Sequence, residues 1–80
     1  LPVRAEVVLR ALVGVHAGAA TVPWLVGHTE LSDDAVRRAL MDLIAHDYVN
    51  QVGVLHTGSR PQHVYACTVV GRAALSPAAR

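Results

Sequence analysis

The sequence predicts a small α+β fold in which three helices are followed by a β-hairpin and a short last helix. Three observations predict this fold. Apolar residues recur at helical spacing in the first half of the chain. A Val-rich run and a second β-favouring run flank a segment of turn-forming residues in the second half. The chain has 80 residues, enough for one modest hydrophobic core, so we expect a single domain over residues 1–80.

The first helix is predicted over residues 3–16. Val8 and Leu12 belong to an apolar row at helical spacing, and charged residues occupy other sides of the helix. Leu9 and Val13 form a second apolar row. The buried face is therefore wider than one small core requires, and this second row either packs on the last helix or forms a subunit interface.

Capping residues predict where the next two helices begin. Thr21 is a good N-cap, and Pro23 suits a first helical turn, so a short helix is expected over residues 22–28. Ser32 is a second N-cap, and a longer helix is expected over residues 33–46.

The third helix has a core face and a solvent face. Leu40 and Leu43 belong to its apolar stripe, which leaves Arg37 and Arg38 pointing outwards. Asp47 stands where this helix must end, at a position that often takes the left-handed conformation.

The second half predicts a hairpin. Residues 48–56 and 62–68 favour strands, and residues 57–61 between them are turn formers. Thr68 is expected to cap a last short helix that ends near Leu75.

Two stretches resemble the winged helix-turn-helix transcriptional regulators of bacteria, the broad group of MarR-, PadR- and ArsR-like repressors. TVPWLVGHTELSDDAVRRALMDLIAHDYV (residues 21–49) is similar to their two-helix motif. GSRPQHVYACTVVGRAAL (residues 58–75) is similar to their wing and following helix. The resemblance implies a winged helix-turn-helix domain that binds specific sequences in double-stranded DNA and regulates transcription as a repressor and a homodimer.

The resemblance also implies which residues meet DNA. The third helix would enter the major groove, where arginines pair with guanine or grip phosphates, and the hairpin would touch the flanking backbone. Acidic residues there accept hydrogen bonds from cytosine but are repelled by phosphates. The alternative for the arginines is a solvated helix face, with Arg38 paired to Asp42. The expected DNA-binding residues are Thr21, Ser32, Asp33, Asp34, Arg37, Arg38, Arg60 and His63.

The net charge of the chain is close to zero, so any affinity for DNA depends on where the arginines lie. Seven arginines and no lysines stand against six acids, for a formal net charge of +1. No general attraction to phosphates follows, so DNA affinity would depend on a local cluster. A homodimer would double the phosphate contacts, and its interface is expected to include Leu9, Val13 and Leu75.

A second interpretation is a winged-helix module that binds protein within a larger protein or assembly. The near-neutral charge and the acidic pair Asp33 and Asp34 favour it. So do Trp24, Met41 and Ile44, apolar residues at positions that such domains usually leave half exposed or polar.

Other function classes lack support. No catalytic set, phosphate-binding loop or cofactor motif is present, so we expect neither an enzyme nor a cofactor. His56 and His63 could face each other across the hairpin, but two ligands do not make a zinc site. Residues 11–29 carry no charge, yet their Gly, Thr and Pro residues favour a break between helices over a membrane span. Cys67 is the single cysteine, which fits a reducing compartment, and we expect a cytoplasmic protein.

Overall fold

The computed structural model describes residues 2–15, 18–56 and 58–75. These residues form four helices and three strands, and the predicted α+β class is confirmed. The order is also the predicted one, except for one added strand, and it is compatible with a winged-helix arrangement. The elements in chain order are α1 (Val3–Val13), β1 (Ala20–Thr21), α2 (Val22–Thr29), α3 (Asp33–Ala45), β2 (Val49–Leu55), β3 (Gln62–Cys67) and α4 (Val69–Leu75).

The three strands form one antiparallel sheet with the order β1-β3-β2. β2 and β3 are the predicted hairpin, and β2 carries a bulge between Gln51 and Gly53. β1 was not predicted, because two residues are too short to show a strand period. Its Ala20 pairs with Tyr65 of β3. This pairing fixes the start of α2 beside the central strand.

The first helix ends three residues before its predicted boundary. Gly14 is its C-cap, and the Gly14 amide donates to the Arg10 carbonyl. The Val15 amide then donates to the Leu12 carbonyl, which is a turn rather than helix continuation. Glycine is a poor helix former, which explains the earlier end. His16, at the predicted end, lies outside the described residues.

All three predicted N-caps are confirmed. The Ser32 hydroxyl accepts from the Ala35 amide at 3.1 Å, and the Thr68 hydroxyl accepts from the Gly71 amide at 3.0 Å. The Thr21 hydroxyl makes a longer bond of 3.4 Å to an amide in the first turn of α2. Side-chain capping therefore defines the start of α2, α3 and α4.

Two non-glycine residues adopt the left-handed conformation where α2 and α3 end. Glu30 is the C-cap of α2 with φ 62°, and its amide donates to the Val26 carbonyl. Asp47 follows α3 with φ 63°, as predicted. These two residues turn the chain sharply on either side of α3.

The core lies between α1, α2, α3 and the inner face of the sheet. Leu9 is fully buried in it, so the prediction that Leu9 lies at a subunit interface is wrong. Leu9 is buried because α1 packs against α2, α3 and β3 at once. Val13 and Leu75 are half-buried. The largest fully buried side chains are Leu9, Leu12, Leu25, Leu40, Leu43, Val8, Val36 and Val49.

The uncharged stretch over residues 11–29 is divided among the end of α1, β1 and α2. In the part of the chain that the structure describes, no helix combines the length and the apolar character needed to cross a membrane.

Candidate nucleic-acid interface

The first half of α3 presents four charged side chains to solvent. Val36 and Leu40 are buried on its core face, which forces the neighbouring positions outwards because of the helical period. Ser32 is exposed as well, but its hydroxyl is already engaged as the N-cap. The exposed charged residues are Asp33, Asp34, Arg37 and Arg38.

These four residues form two ion pairs along the helix. Arg37 Nε donates to Asp33 Oδ1 at 2.5 Å, and Arg38 Nε lies 3.1 Å from Asp34 Oδ2. The expectation that Arg38 pairs with Asp42 is therefore wrong. An acid that precedes its cation by four residues has the favoured order on a helix, and acids in the first turn suit the helix dipole.

The pairs make the N-terminal half of α3 locally neutral but do not lock it. The hydrogen bond and charge of Asp33 raise the pKa of Arg37 above its ordinary value. Both side chains of that pair are 60% exposed, and exposed pairs contribute only about 0.2–1 kcal/mol. Each arginine can therefore exchange its acid for a stronger anionic partner at low cost.

The hairpin supplies a second group of polar side chains. Arg60 is exposed in the turn before β3, and Gly58 takes a φ of +71° in the same turn. His63 lies on β3, and its Nδ1 is 2.8 Å from Gln51 Nε2 of β2. The register pairs His63 with Val54. His56 therefore does not face His63, and the idea that they offer two imidazoles to one metal is wrong.

An open groove of about 360 Å³ brings α3 and the hairpin together. Of the residues predicted to bind DNA, Arg37, Arg60 and His63 all line it. Arg37 of α3 and Arg60 of the turn thus border one concave surface. The remaining lining residues are Val22, Pro23, Pro61, Gln62 and Tyr65.

The other predicted residues lie outside this groove. Arg38 and Asp34 are exposed on α3 but do not line it. Thr21 is half-buried, and it serves as the N-cap of α2 and pairs with Val64 of β3. The Thr21 hydroxyl is therefore already used in capping α2.

A second, smaller groove of about 260 Å³ adjoins the first. It is lined by Arg37, Tyr65 and three apolar residues of α3: Leu40, Met41 and Ile44. Tyr65 was not among the site residues predicted from the sequence. Its place in a hairpin strand could be predicted from the sequence, but only the fold shows that Tyr65 borders both grooves.

No group of three or more His, Cys, Asp or Glu side chains within residues 2–15, 18–56 and 58–75 is arranged to hold a metal ion. Cys67 is half-buried on β3, and its thiol donates to the Thr68 carbonyl at 3.2 Å. Burial raises the pKa of this thiol, an effect that Arg72 partly offsets.

Comparison of the chain with models of known protein families and with curated proteins finds no match.

Proposed function

We propose that the protein is a winged helix-turn-helix regulator that binds specific sequences in double-stranded DNA, represses transcription and acts as a homodimer in the cytoplasm. α2 and α3 are the helix-turn-helix, α3 is the recognition helix, and the β2–β3 hairpin is the wing. One observation carries this proposal: Arg37 of α3 and Arg60 of the hairpin line the same groove. Two separate elements therefore offer cations to one side of the molecule.

The exposed half of α3 has the size and chemistry that a major groove accepts. An α-helix fits the groove of B-DNA, which is about 12 Å wide. Arg37 and Arg38 lie on the solvent side of α3, where a guanidinium can bind guanine O6 and N7 or a phosphate. Arg60 at the hairpin turn would reach the flanking backbone.

The two acids of α3 shape how this contact forms. On binding, Arg37 and Arg38 exchange Asp33 and Asp34 for DNA acceptors, and the freed carboxylates accept hydrogen bonds from cytosine amino groups. Phosphates repel the same carboxylates, so non-specific affinity is low. A dimer compensates because it presents two recognition helices about one turn of DNA apart. Val13 and Leu75, both half-buried, remain in the proposed interface.

The test is the affinity of the purified chain for mixed-sequence duplex DNA at about 50 mM and about 200 mM salt. The double variant Arg37→Ala with Arg38→Ala is expected to bind about tenfold more weakly and to reduce the salt slope by about two. The matched control is Arg4→Ala with Arg10→Ala, which removes two exposed arginines from α1 and should leave binding close to the parent. Equal losses in both double variants would contradict groove contact through α3.

A second candidate function, a protein-binding module, is favoured by a separate observation. The charges of α3 are paired with each other, while Met41 is 70% exposed and Trp24 and Ile44 are about 40% exposed. Trp24 stacks on His28 with ring centroids 4.5 Å apart, and it remains partly exposed despite this contact. If a folded sample does not bind DNA at low salt, this second function replaces the first.

A further inference from the structure

The exposed apolar side chains of α3 are not used by the proposed DNA contact. Met41 and Ile44 lie in the second half of the helix, beyond the charged first half. They are 70% and 41% exposed, and they line the smaller groove together with Leu40. An exposed apolar patch inside a concavity is a common feature of binding sites.

The smaller groove continues into the groove that holds the two arginines. Arg37 and Tyr65 line both, so we treat them as one trough between α3 and β3. Arg60 lies in the first groove, Met41 and Ile44 lie in the second, and Arg37 lies where the two grooves meet. Among its lining residues in the described part of the chain, none is acidic. Arg37 is paired with Asp33, but that pair is exposed and therefore weak. The trough thus favours an occupant that is anionic near the arginines and apolar near Met41 and Ile44.

The separation between Arg37 and the apolar residues sets the spacing of the anionic and apolar groups of the occupant. Arg37 and Ile44 are two turns apart on α3, which corresponds to about 10 Å along the helix axis. An extended peptide covers that distance in about three residues. An acidic side chain and a large apolar side chain three residues apart can therefore reach Arg37 and Ile44 together.

We propose that the trough binds an extended segment of a partner protein in which an acidic residue precedes a large apolar residue by about three positions. The carboxylate binds the guanidinium groups of Arg37 and Arg60, which suit carboxylates geometrically. The apolar side chain packs on Met41 and Ile44 against the ring of Tyr65. Since Arg37 also serves the proposed DNA contact, the segment and DNA compete. Only this competition rests on the proposed function; peptide binding does not.

The experiment titrates the isotope-labelled full chain with the capped peptide Ac-Gly-Glu-Ser-Gly-Leu-Gly-NH₂ and follows backbone amide shifts. We expect a Kd of about 1 mM or tighter, with shifts concentrated at Arg37, Met41, Ile44 and Tyr65. Replacing the Glu of the peptide by Gln should weaken binding about tenfold, as expected for loss of a charge-assisted hydrogen bond.

Exposed positions of the chain provide matched variants. Met41→Ser is expected to weaken binding about tenfold, near the lower end of what burial of one apolar side chain contributes. Val69→Ser replaces an apolar side chain of α4 that is 86% exposed and should have no effect. Arg60→Ala is expected to reduce the preference for the Glu peptide, because only Arg37 remains to bind the carboxylate, whereas Arg72→Ala, at an exposed arginine of α4, should preserve it.

The outcomes separate this inference from the proposed function. No shift at millimolar peptide, equal binding of the Glu and Gln peptides, or equal effects of Met41→Ser and Val69→Ser would overturn the inference. Binding of DNA without binding of peptide would overturn it and leave the proposed function standing. Binding of peptide without binding of DNA would overturn the proposed function and leave the inference standing. If both bind, peptide is expected to displace DNA, and simultaneous binding would refute the competition.

Discussion

Gly71 lies directly against the backbone of Tyr48, so that a Cβ atom on Gly71 would stand 2.2 Å from the Tyr48 carbonyl oxygen. This contact joins α4 to the turn between α3 and β2. The same carbonyl accepts from the Thr68 amide at 2.9 Å, and the Thr68 hydroxyl donates to the Asp47 carbonyl at 2.7 Å. The start of α4 is thereby fixed beside the end of α3, the helix that carries the candidate interface.

Gly71→Ala is therefore expected to destabilise the protein, although alanine is the better helix former. The atoms that a Cβ would meet belong to the Tyr48 backbone, which cannot move aside as a flexible side chain does. Overpacking of this kind costs about 1–3 kcal/mol, more than the gain in helix propensity of about 1 kcal/mol. Urea denaturation followed by circular dichroism would measure the loss in the free energy of unfolding.

The control is Gly27→Ala in α2, where a Cβ meets nothing within 4 Å. This substitution should leave stability unchanged or raise it by up to about 1 kcal/mol. If the two substitutions shift the denaturation midpoint in the same direction and by similar amounts, the close contact between Gly71 and Tyr48 is not limiting.

Features that depend on neighbours in sequence could be predicted. The N-caps at Ser32 and Thr68 and the left-handed Asp47 follow from local side-chain and backbone preferences, and the structure has all three. The core stripe of α3 follows from the helical period, and Leu40 and Leu43 are buried as that period predicts.

Features that depend on distant partners could not be predicted. β1 is a strand only because β3 supplies its hydrogen bonds. Leu9 could have faced a second subunit, and only the packing of α1 on three elements shows that it is in the core. The groove between Arg37 and Arg60 joins residues from separate elements. The close contact at Gly71 is likewise tertiary, since glycine in a helix pattern indicates only low propensity.

Ser32→Ala is expected to lower the free energy of unfolding by about 1 kcal/mol. The Ser32 hydroxyl accepts from the Ala35 amide at 3.1 Å, and alanine leaves that amide without its side-chain acceptor. Ser32→Asn should restore most of the stability, because asparagine is an equally good N-cap. Thermal denaturation of the three proteins measures the effect. If the Ala and Asn variants melt together, below the parent, the role of Ser32 is not capping.

The Cys67 thiol is expected to react slowly with iodoacetamide near neutral pH, because burial raises its pKa and the thiolate is the nucleophile. The pH at which the alkylation rate of Cys67 is half-maximal should lie above the pH at which the alkylation rate of glutathione is half-maximal. The urea-unfolded chain is the control and should react like glutathione. Because Cys67 is the single cysteine of the sequence, the rate of modification reports this residue alone.

The same pKa shift has a consequence for stability. A thiol whose pKa is raised on folding holds its proton longer in the native state, so the native state binds more protons above the unfolded pKa. Cys67 therefore favours folding at neutral pH, and this contribution is lost as the pH rises from the unfolded toward the folded pKa of the thiol. Cys67→Ala should reduce the fall in stability over that alkaline range. An unchanged pH dependence would contradict a thiol whose pKa is raised on folding.

Asp33→Asn is expected to strengthen DNA binding, because it releases Arg37 from its ion pair and removes a charge that phosphates repel. The gain should be about three- to tenfold at low salt and smaller at higher salt. The matched control is Glu6→Gln, which removes the acid from the equivalent pair with Arg10 on α1 and changes the net charge equally. Stability should change by less than about 1 kcal/mol in either variant, so both can be compared as folded proteins in the same fluorescence anisotropy titration.

A gain with Glu6→Gln equal to that with Asp33→Asn would mean that only net charge matters and that α3 is not the contact helix. A loss with Asp33→Asn on mixed-sequence DNA would mean that the carboxylate itself contributes to binding, and the role of Asp33 as an internal competitor for Arg37 would be wrong.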